Sequence, residues 1–379
     1  MTAFRFRHVS WVASFLTTYR PRPRLPYSAM HAARPSILDL SGLRYFADDP
    51  GDSFRKFQPP VAVNGEIAYL ALSGGGADGA FGAGALAGLS DAGARPTFSV
   101  ISGVSTGALI APFAFLGSRY DPTLAELYTS GIAASLVDGA APLSILATSG
   151  PLANNRLRAL IDRYVDEALL SAIAAESAGG RILLVITTNL DTQRASVWNL
   201  GKIAEIGTPE ALALFRQVLT ASASVPIIYP PVLIEAEADG HRFEEMHVDG
   251  SVTFPIHTLP ETFLFRGRNL PGPKLNLYVL INNKLRHDFR IVPVEARKIA
   301  ARSASTLVKM QTRAMIFETY NFTRRNGSGF NLAYMDDDIS TEGADDFDTD
   351  YMRSLFDHGY ARARSGDLWN TELPPEAAF

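Results

Sequence analysis

Cysteine is absent from the 379 residues. Disulfides, thiol nucleophiles and thiolate zinc sites are therefore excluded, while the compartment stays open. A bacterial lipid anchor, which needs a cysteine, is excluded with them. No stretch reaches the roughly 18 apolar residues of a membrane-spanning helix. An excess of one charge is also missing: the net charge is −4, and no global field favours nucleic acid as a partner. There is no internal repeat and no linker that would divide the chain. What remains is 47% hydrophobic and 20% charged, ordinary for a packed globular protein and long enough to bury a sizeable core.

Acidic residues are missing locally as well. Residues 1–36 carry Arg5, Arg7, Arg20, Arg22, Arg24 and Arg34 and no Asp or Glu. The apolar run from Val9 to Leu16 sits among them, short and interrupted. This segment reads as a basic leader, either disordered or a weak export signal, with Met30 as an alternative start. Cytoplasmic and exported locations both stay open. Residues 37–379 read as one domain, with its core at 65–285 and a C-terminal helical extension.

Within the core, short apolar runs end in glycine and open into helical stretches. A strand at 67–73 leads to a helix at 79–93, rich in alanine and glycine. A strand at 98–101 leads to a helix at 106–116. This succession predicts an α/β fold with a mainly parallel sheet covered by helices. Glycines at 82, 84 and 88 each cost a helix roughly 1 kcal/mol against alanine, so they predict close packing on a neighbour. Further on, 121–177 reads as mainly helical, with one helix at 155–175. Strands are predicted at 181–189, 196–200, 242–248 and 275–282, and helices at 209–222, 293–324 and 351–364. Residues 225–232, with three prolines, read as a rigid connection, and the acidic run 336–350 as a solvated loop without calcium-ligand spacing.

Three motifs carry chemistry. Gly103-Val104-Ser105-Thr106-Gly107 has the G-x-S-x-G pattern, in which small neighbours allow a tight strand-to-helix turn and the serine projects clear of the sheet. Gly74-Gly75-Gly76-Ala77-Asp78-Gly79 fits a dinucleotide loop, a packing device or an oxyanion hole. The dinucleotide reading wants an acid at the end of the next strand, and 98–103 has none. Asp249-Gly250 ends a strand, where such a pair is most often a simple turn. Histidine is the usual base for a serine. His241, His247, His257, His287 and His358 follow Ser105 in the chain, but none stands in a motif, and His8 and His31 lie in the leader.

The three motifs in this order and spacing, with Thr220-Ala221-Ser222-Ala223-Ser224-Val225-Pro226 and Pro230-Pro231-Val232 between the second and third, resemble the bacterial type of the patatin-like phospholipase family. The resemblance covers roughly residues 65–285. It implies a three-layer α/β/α fold and a serine lipid acyl hydrolase working through a Ser–Asp dyad and an acyl-enzyme. Ser105 then corresponds to the nucleophile and Asp249 to the base. Gly74, Gly75 and Gly76 correspond to the oxyanion loop, while Gly79, Gly103, Gly107 and Gly250 complete the motifs. A lipid or ester substrate is implied, with room for contact with a membrane surface, and neither a cofactor nor a metal is called for. A carboxylate of ordinary pKa near 4 is a weak base for serine, so burial is expected to raise that of Asp249. Two departures stand out: Asp78 replaces the family's frequent Arg or Lys, and Ser251 replaces a Gly or Ala. The reversed charge at Asp78 keeps open a catalytically silent relative that binds lipid or a partner. Leu136, Leu143, Ile145 and Leu146 are candidates for an apolar mouth or for core.

Overall fold

The computed structural model describes residues 23–49, 60–63, 65–134, 154–226, 228–265, 272–335, 339 and 347–374. The proposed mouth residues Leu136, Leu143, Ile145 and Leu146, and most of the acidic run 336–350, lie outside them.

Nine strands among the described residues share one mixed sheet. They are β1 (Arg44–Phe46), β2 (Glu66–Leu72), β3 (Val100–Val104), β4 (Ile182–Asn189), β5 (Arg194–Asn199), β6 (Val232–Ala238), β7 (His241–Asp249), β8 (Lys274–Lys284) and β9 (Gly329–Met335). The order is β1-β5-β4-β3-β2-β8-β9. The five central strands, β4-β3-β2-β8-β9, are parallel. β1 and β5 add an antiparallel edge, and the β6–β7 hairpin pairs antiparallel with the end of β4.

The strands are apolar on both faces because helices cover both. Successive residues of β2 show it. Leu70 and Leu72 join the core cluster on one face, Tyr69 and Ala71 that on the other, as the two-residue period of a strand requires. On the first face pack α1 (Gly79–Asp91), α2 (Thr106–Leu116), α3 (Asp121–Thr129), α4 (Asn154–Tyr164), α5 (Glu167–Ala178), α6 (Leu200–Ile206), α7 (Pro209–Ser222) and α9 (Thr349–Ser365). The opposite face is covered by residues 254–264 and by the buried C-terminal half of the 31-residue α8 (Ala296–Asn326).

The glycines of α1 do what the sequence predicts. A Cβ on Gly84 or Gly88 would collide with the backbone carbonyls of Phe356 or Tyr360 in α9, and Gly82 faces the Asn282 side chain. α1 is therefore wedged between sheet and C-terminal helix at backbone distance.

α2 and α7 occupy the predicted ranges. The single helix expected at 155–175 is two. The Asp166 side chain accepts the Leu169 N–H (2.8 Å) as the cap of α5, which breaks the run after Tyr164. The strand expected at 98–101 starts at Val100 and runs on to Val104. Strands β1, β6 and β9 and helix α6 were not anticipated. Residues 23–36, read with the leader, are built into the domain: Tyr27 stacks on Phe243 with ring centroids 4.3 Å apart, Arg24 pairs with Asp191, and Ser36 exchanges backbone bonds with Glu237.

Candidate active site

Sheet register explains how residues 105 and 249 come together. On one side of β4, β3 pairs up to Val104↔Ile186. At the next step the partner changes: Asp249 pairs with Thr187 as β7 arrives from the opposite direction. Two strands thus end head to head along β4. Ser105 follows the end of one, and Asp249 is the last residue of the other.

Ser105 sits at φ 53°, ψ −123°, a left-handed backbone that non-glycine residues adopt at a cost. Its carbonyl accepts the N–H groups of Ala108 and Leu109, the first bonds of α2. The turn needs its glycines. A Cβ on Gly107 would lie 2.5 Å from the Leu72 carbonyl oxygen, and one on Gly103 would strike the Gly107 carbonyl. The Ser105 N–H donates to Ser222 Oγ (3.0 Å), and Ser222 Oγ donates to the Ile186 carbonyl (2.7 Å). The Asp249 N–H donates to the Ser224 carbonyl (2.9 Å). The end of α7 and the residues after it hold both halves of the site.

Asp249 is buried. Its Oδ1 accepts the Ser251 N–H (2.7 Å), whereas Oδ2 has no partner meeting hydrogen-bond geometry. Burial raises its pKa to about 6, against the opposing influence of the nearby Ser105 hydroxyl and of Ser251. Sequence reasoning expected that direction, and desolvation is the cause.

The glycine loop lies alongside. A Cβ on Gly74 would be 3.2 Å from Ser105 Cβ, and one on Gly75 would collide with the Asn282 carbonyl. Asn282 organises the loop from β8. Its N–H donates to Ser73 Oγ (2.8 Å) and its Nδ2 to the Ser73 carbonyl (2.9 Å), while its Oδ1 accepts the Gly82 N–H (3.1 Å). The Gly74 N–H is committed to the Pro255 carbonyl (3.1 Å). That leaves Gly75 and Gly76 as the loop's candidate donors. Gly76 takes φ 60°, and Gly79 abuts Thr106. Gly250 packs so closely on the Ile186 carbonyl that a Cβ would collide with it.

Asp78 is buried at the end of this loop, and its Oδ1 accepts the Tyr351 hydroxyl of α9 (2.6 Å). Ser251 stands against Gly74 with its hydroxyl facing the loop. A small apolar cavity of about 60 Å³ is lined by Gly76 of the glycine loop and Thr106 of α2, with Leu109, Phe113, Tyr128 and Ile161 among others.

The five later histidines are all held elsewhere. His247 is buried with Nδ1 on Thr187 Oγ1 (2.9 Å) and Nε2 on Glu245 (3.2 Å); burial lowers its pKa against the pull of Glu245. His257 Nε2 meets the Tyr45 hydroxyl (3.3 Å), and burial lowers its pKa to about 4. His241 contacts the Pro26 carbonyl, His287 contacts Arg313, and His358 packs near Phe81. Ser222, Ser224 and Asn282 went unassigned in the sequence. The first two fall in a block that resembled the family, but their tertiary partners leave no local signal.

No curated protein matches the chain. Among solved structures it is distantly similar to VipD from Legionella pneumophila, with 13% identity and a TM-score of 0.35, over 84% of this chain and 70% of that one. It is similar in the same loose way to human GIVD cytosolic phospholipase A2, with 12% identity and a TM-score of 0.32, over 74% of this chain and 47% of that one. The patatin-like phospholipase family matches residues 70–260, half of the chain. With a mixed, centrally parallel sheet around its three motifs, this chain belongs to the patatin-like phospholipase family.

Proposed function

We propose that the protein is a serine lipid acyl hydrolase in which Ser105 is the nucleophile and Asp249 the general base. The observation that carries this reading is the buried Asp249 carboxyl, with Oδ2 unpartnered beside a serine on a left-handed elbow. A carboxylate at the end of a strand gains nothing structurally from an unsatisfied buried oxygen, which costs stability. It gains a function if that oxygen takes a proton from the serine.

In the reaction, Asp249 accepts the Ser105 proton as Ser105 Oγ attacks the ester carbonyl. The N–H groups of Gly75 and Gly76 receive the developing oxyanion. The alcohol leaves with the proton from Asp249. Water, activated by Asp249, then cleaves the acyl-enzyme and restores Ser105. Ser222 and Ser224 fix the two reacting groups against the sheet, and the apolar cavity lined by Gly76 and Thr106 takes the start of the acyl chain. Residues 37–379, with the segment 23–36 docked on them, act as one catalytic domain. Asp78 does not argue for a silent relative, because its carboxylate is engaged by Tyr351.

The test is hydrolysis of p-nitrophenyl esters and phospholipids by the wild type and Ser105→Ala. The reading requires turnover by the first and a loss of at least about 10³-fold in the second. Equal activity of the two would refute it.

A further inference from the structure

α8 has two unlike halves. From Thr312 onward it carries the buried side chains Thr312, Arg313, Met315, Ile316, Thr319, Phe322 and Thr323, whereas none of the described side chains from Ala296 to Gln311 is buried. Gln311 Nε2 donates to the Thr253 carbonyl, just past the Asp249–Gly250 turn. At about 1.5 Å per residue, the fifteen residues before Gln311 extend the helix about 22 Å past that turn. The segment 285–295, joining β8 to α8, leaves the same carboxyl edge of the sheet that carries Ser105 and the glycine loop.

This projecting unit is apolar where a solvated surface is normally polar. Phe289 is 93% exposed, Ile291 81%, Val294 96% and Leu307 71%, and Ile299 and Met310 are exposed with them. Scattered apolar side chains need no explanation, but six on one loop and helix that leave the sheet edge carrying the candidate site do. The charge around them is one-sided. Leaving out the buried Lys284 and Arg313, residues 285–311 contain six Lys or Arg and two Asp or Glu, in a chain whose net charge is −4, and of these Arg302 lies against Asp288. Bulky apolar residues interleaved with cations make the composition of a surface that lies in the headgroup layer of an anionic bilayer. Among the described residues no helix is long and apolar enough to cross a membrane.

We propose that the loop 285–295 and the N-terminal half of α8 seat the protein on an anionic lipid bilayer. Phe289, Ile291 and Val294 enter the acyl boundary, while Arg290, Lys298 and Arg302 meet the phosphates. This places the docking surface beside the carboxyl edge of the sheet. It rests on the lipid-hydrolase reading for its purpose, since it brings the site edge to the substrate, but its binding test does not require catalysis.

The experiment is vesicle flotation with the full chain carrying Ser105→Ala, so that the lipid stays intact. Vesicles of phosphatidylcholine alone are compared with vesicles holding about one third phosphatidylglycerol. Binding should favour the anionic vesicles by about tenfold or more and weaken at about 0.5 M salt. Two sets of changes, Phe289→Asp with Ile291→Asp and Val294→Asp, and separately Arg290→Glu with Lys298→Glu and Arg302→Glu, should each lower binding by about tenfold. In the Ser105 background of the wild type, both sets should keep hydrolysis of a soluble p-nitrophenyl ester while losing that of vesicle lipid. Vesicle binding unchanged in both sets overturns the proposal. So does a stable dimer in sedimentation velocity that both sets dissociate, which would assign the face to a second copy. Absence of soluble-ester hydrolysis in the wild type would refute the hydrolase reading and leave the vesicle result to decide this one.

Discussion

Ser222 holds the backbone of Ser105: its Oγ accepts the Ser105 N–H at 3.0 Å and passes its own proton to the Ile186 carbonyl at 2.7 Å. The residue on the left-handed elbow is thus tied to β4 through a side chain 117 positions away. Ser222→Ala leaves a buried N–H without its acceptor and should cost about 1–3 kcal/mol of stability. Released from the tether, Ser105 should also lose about tenfold to a hundredfold in kcat, with KM little changed. Denaturant melts and steady-state kinetics on a soluble ester measure both. A variant with wild-type kcat would remove Ser222 from the site's support.

The buried Asp249 ties activity to pH. With a folded-state pKa of about 6, a base of this kind should give kcat/KM that falls tenfold per pH unit below about 6. A profile flat down to about pH 4, the ordinary carboxylate value, would contradict it.

The same shift predicts a gain on removing the charge. The folded pKa of Asp249 lies above the ordinary 3.8, so the folded state holds the proton more tightly than the unfolded one. Stability therefore drops as pH rises from about 4 to about 6, and the penalty is complete above that. Asp249→Asn should abolish at least about 10³-fold of the activity and yet be more stable than wild type at pH 8, on the order of 1–3 kcal/mol. The difference should shrink through pH 6 and vanish below about pH 4. Paired denaturant melts at pH 8 and pH 4 check it, and an Asn variant less stable at pH 8 would count against a strained, desolvated carboxylate.

The two candidate donors should respond differently. Gly76→Ala has room, with Phe347 3.6 Å away, but must hold φ 60°. It should fold with a modest loss of stability and lose about 10²-fold in rate. Gly75→Ala drives a methyl into the Asn282 carbonyl and should destabilise the loop itself. Normal rate in a folded Gly76 variant would make the loop structural.

The histidines supply a control. His247→Gln disturbs the buried bonds to Thr187 and Glu245, so its melting temperature should fall while kcat stays within a few-fold. His257→Gln should behave in the same way. A histidine variant that is inactive with an intact melt would replace the dyad by a triad.

The sequence carried the parts whose signals are local. Glycine ending an apolar run located β2 and β3, and the helix expected from Pro209 is α7, whose start the structure caps with the Thr208 side chain accepting the Ala211 N–H at 3.2 Å. β6 has a local signal, since Val232, Ile234, Ala236 and Ala238 alternate with Leu233, Glu235 and Glu237, but Pro230 and Pro231 before it favour a connection. β9 begins among glycines and is stabilised by its pairing with β8, a long-range cause with no local trace. In the site, Ser105, Asp249 and the glycines stood in motifs. Ser222, Ser224 and Asn282 act through partners distant in the chain, and only the register of β4 against β3 and β7 shows why they matter.

The central claim, a reactive Ser105 activated by Asp249, is tested most directly by mass spectrometry after treatment with a fluorophosphonate probe. The account predicts one phosphonate adduct, on the peptide containing Ser105, formed by the wild type and suppressed in both Ser105→Ala and Asp249→Asn. An adduct on another residue, or none on a folded wild-type protein, would contradict it.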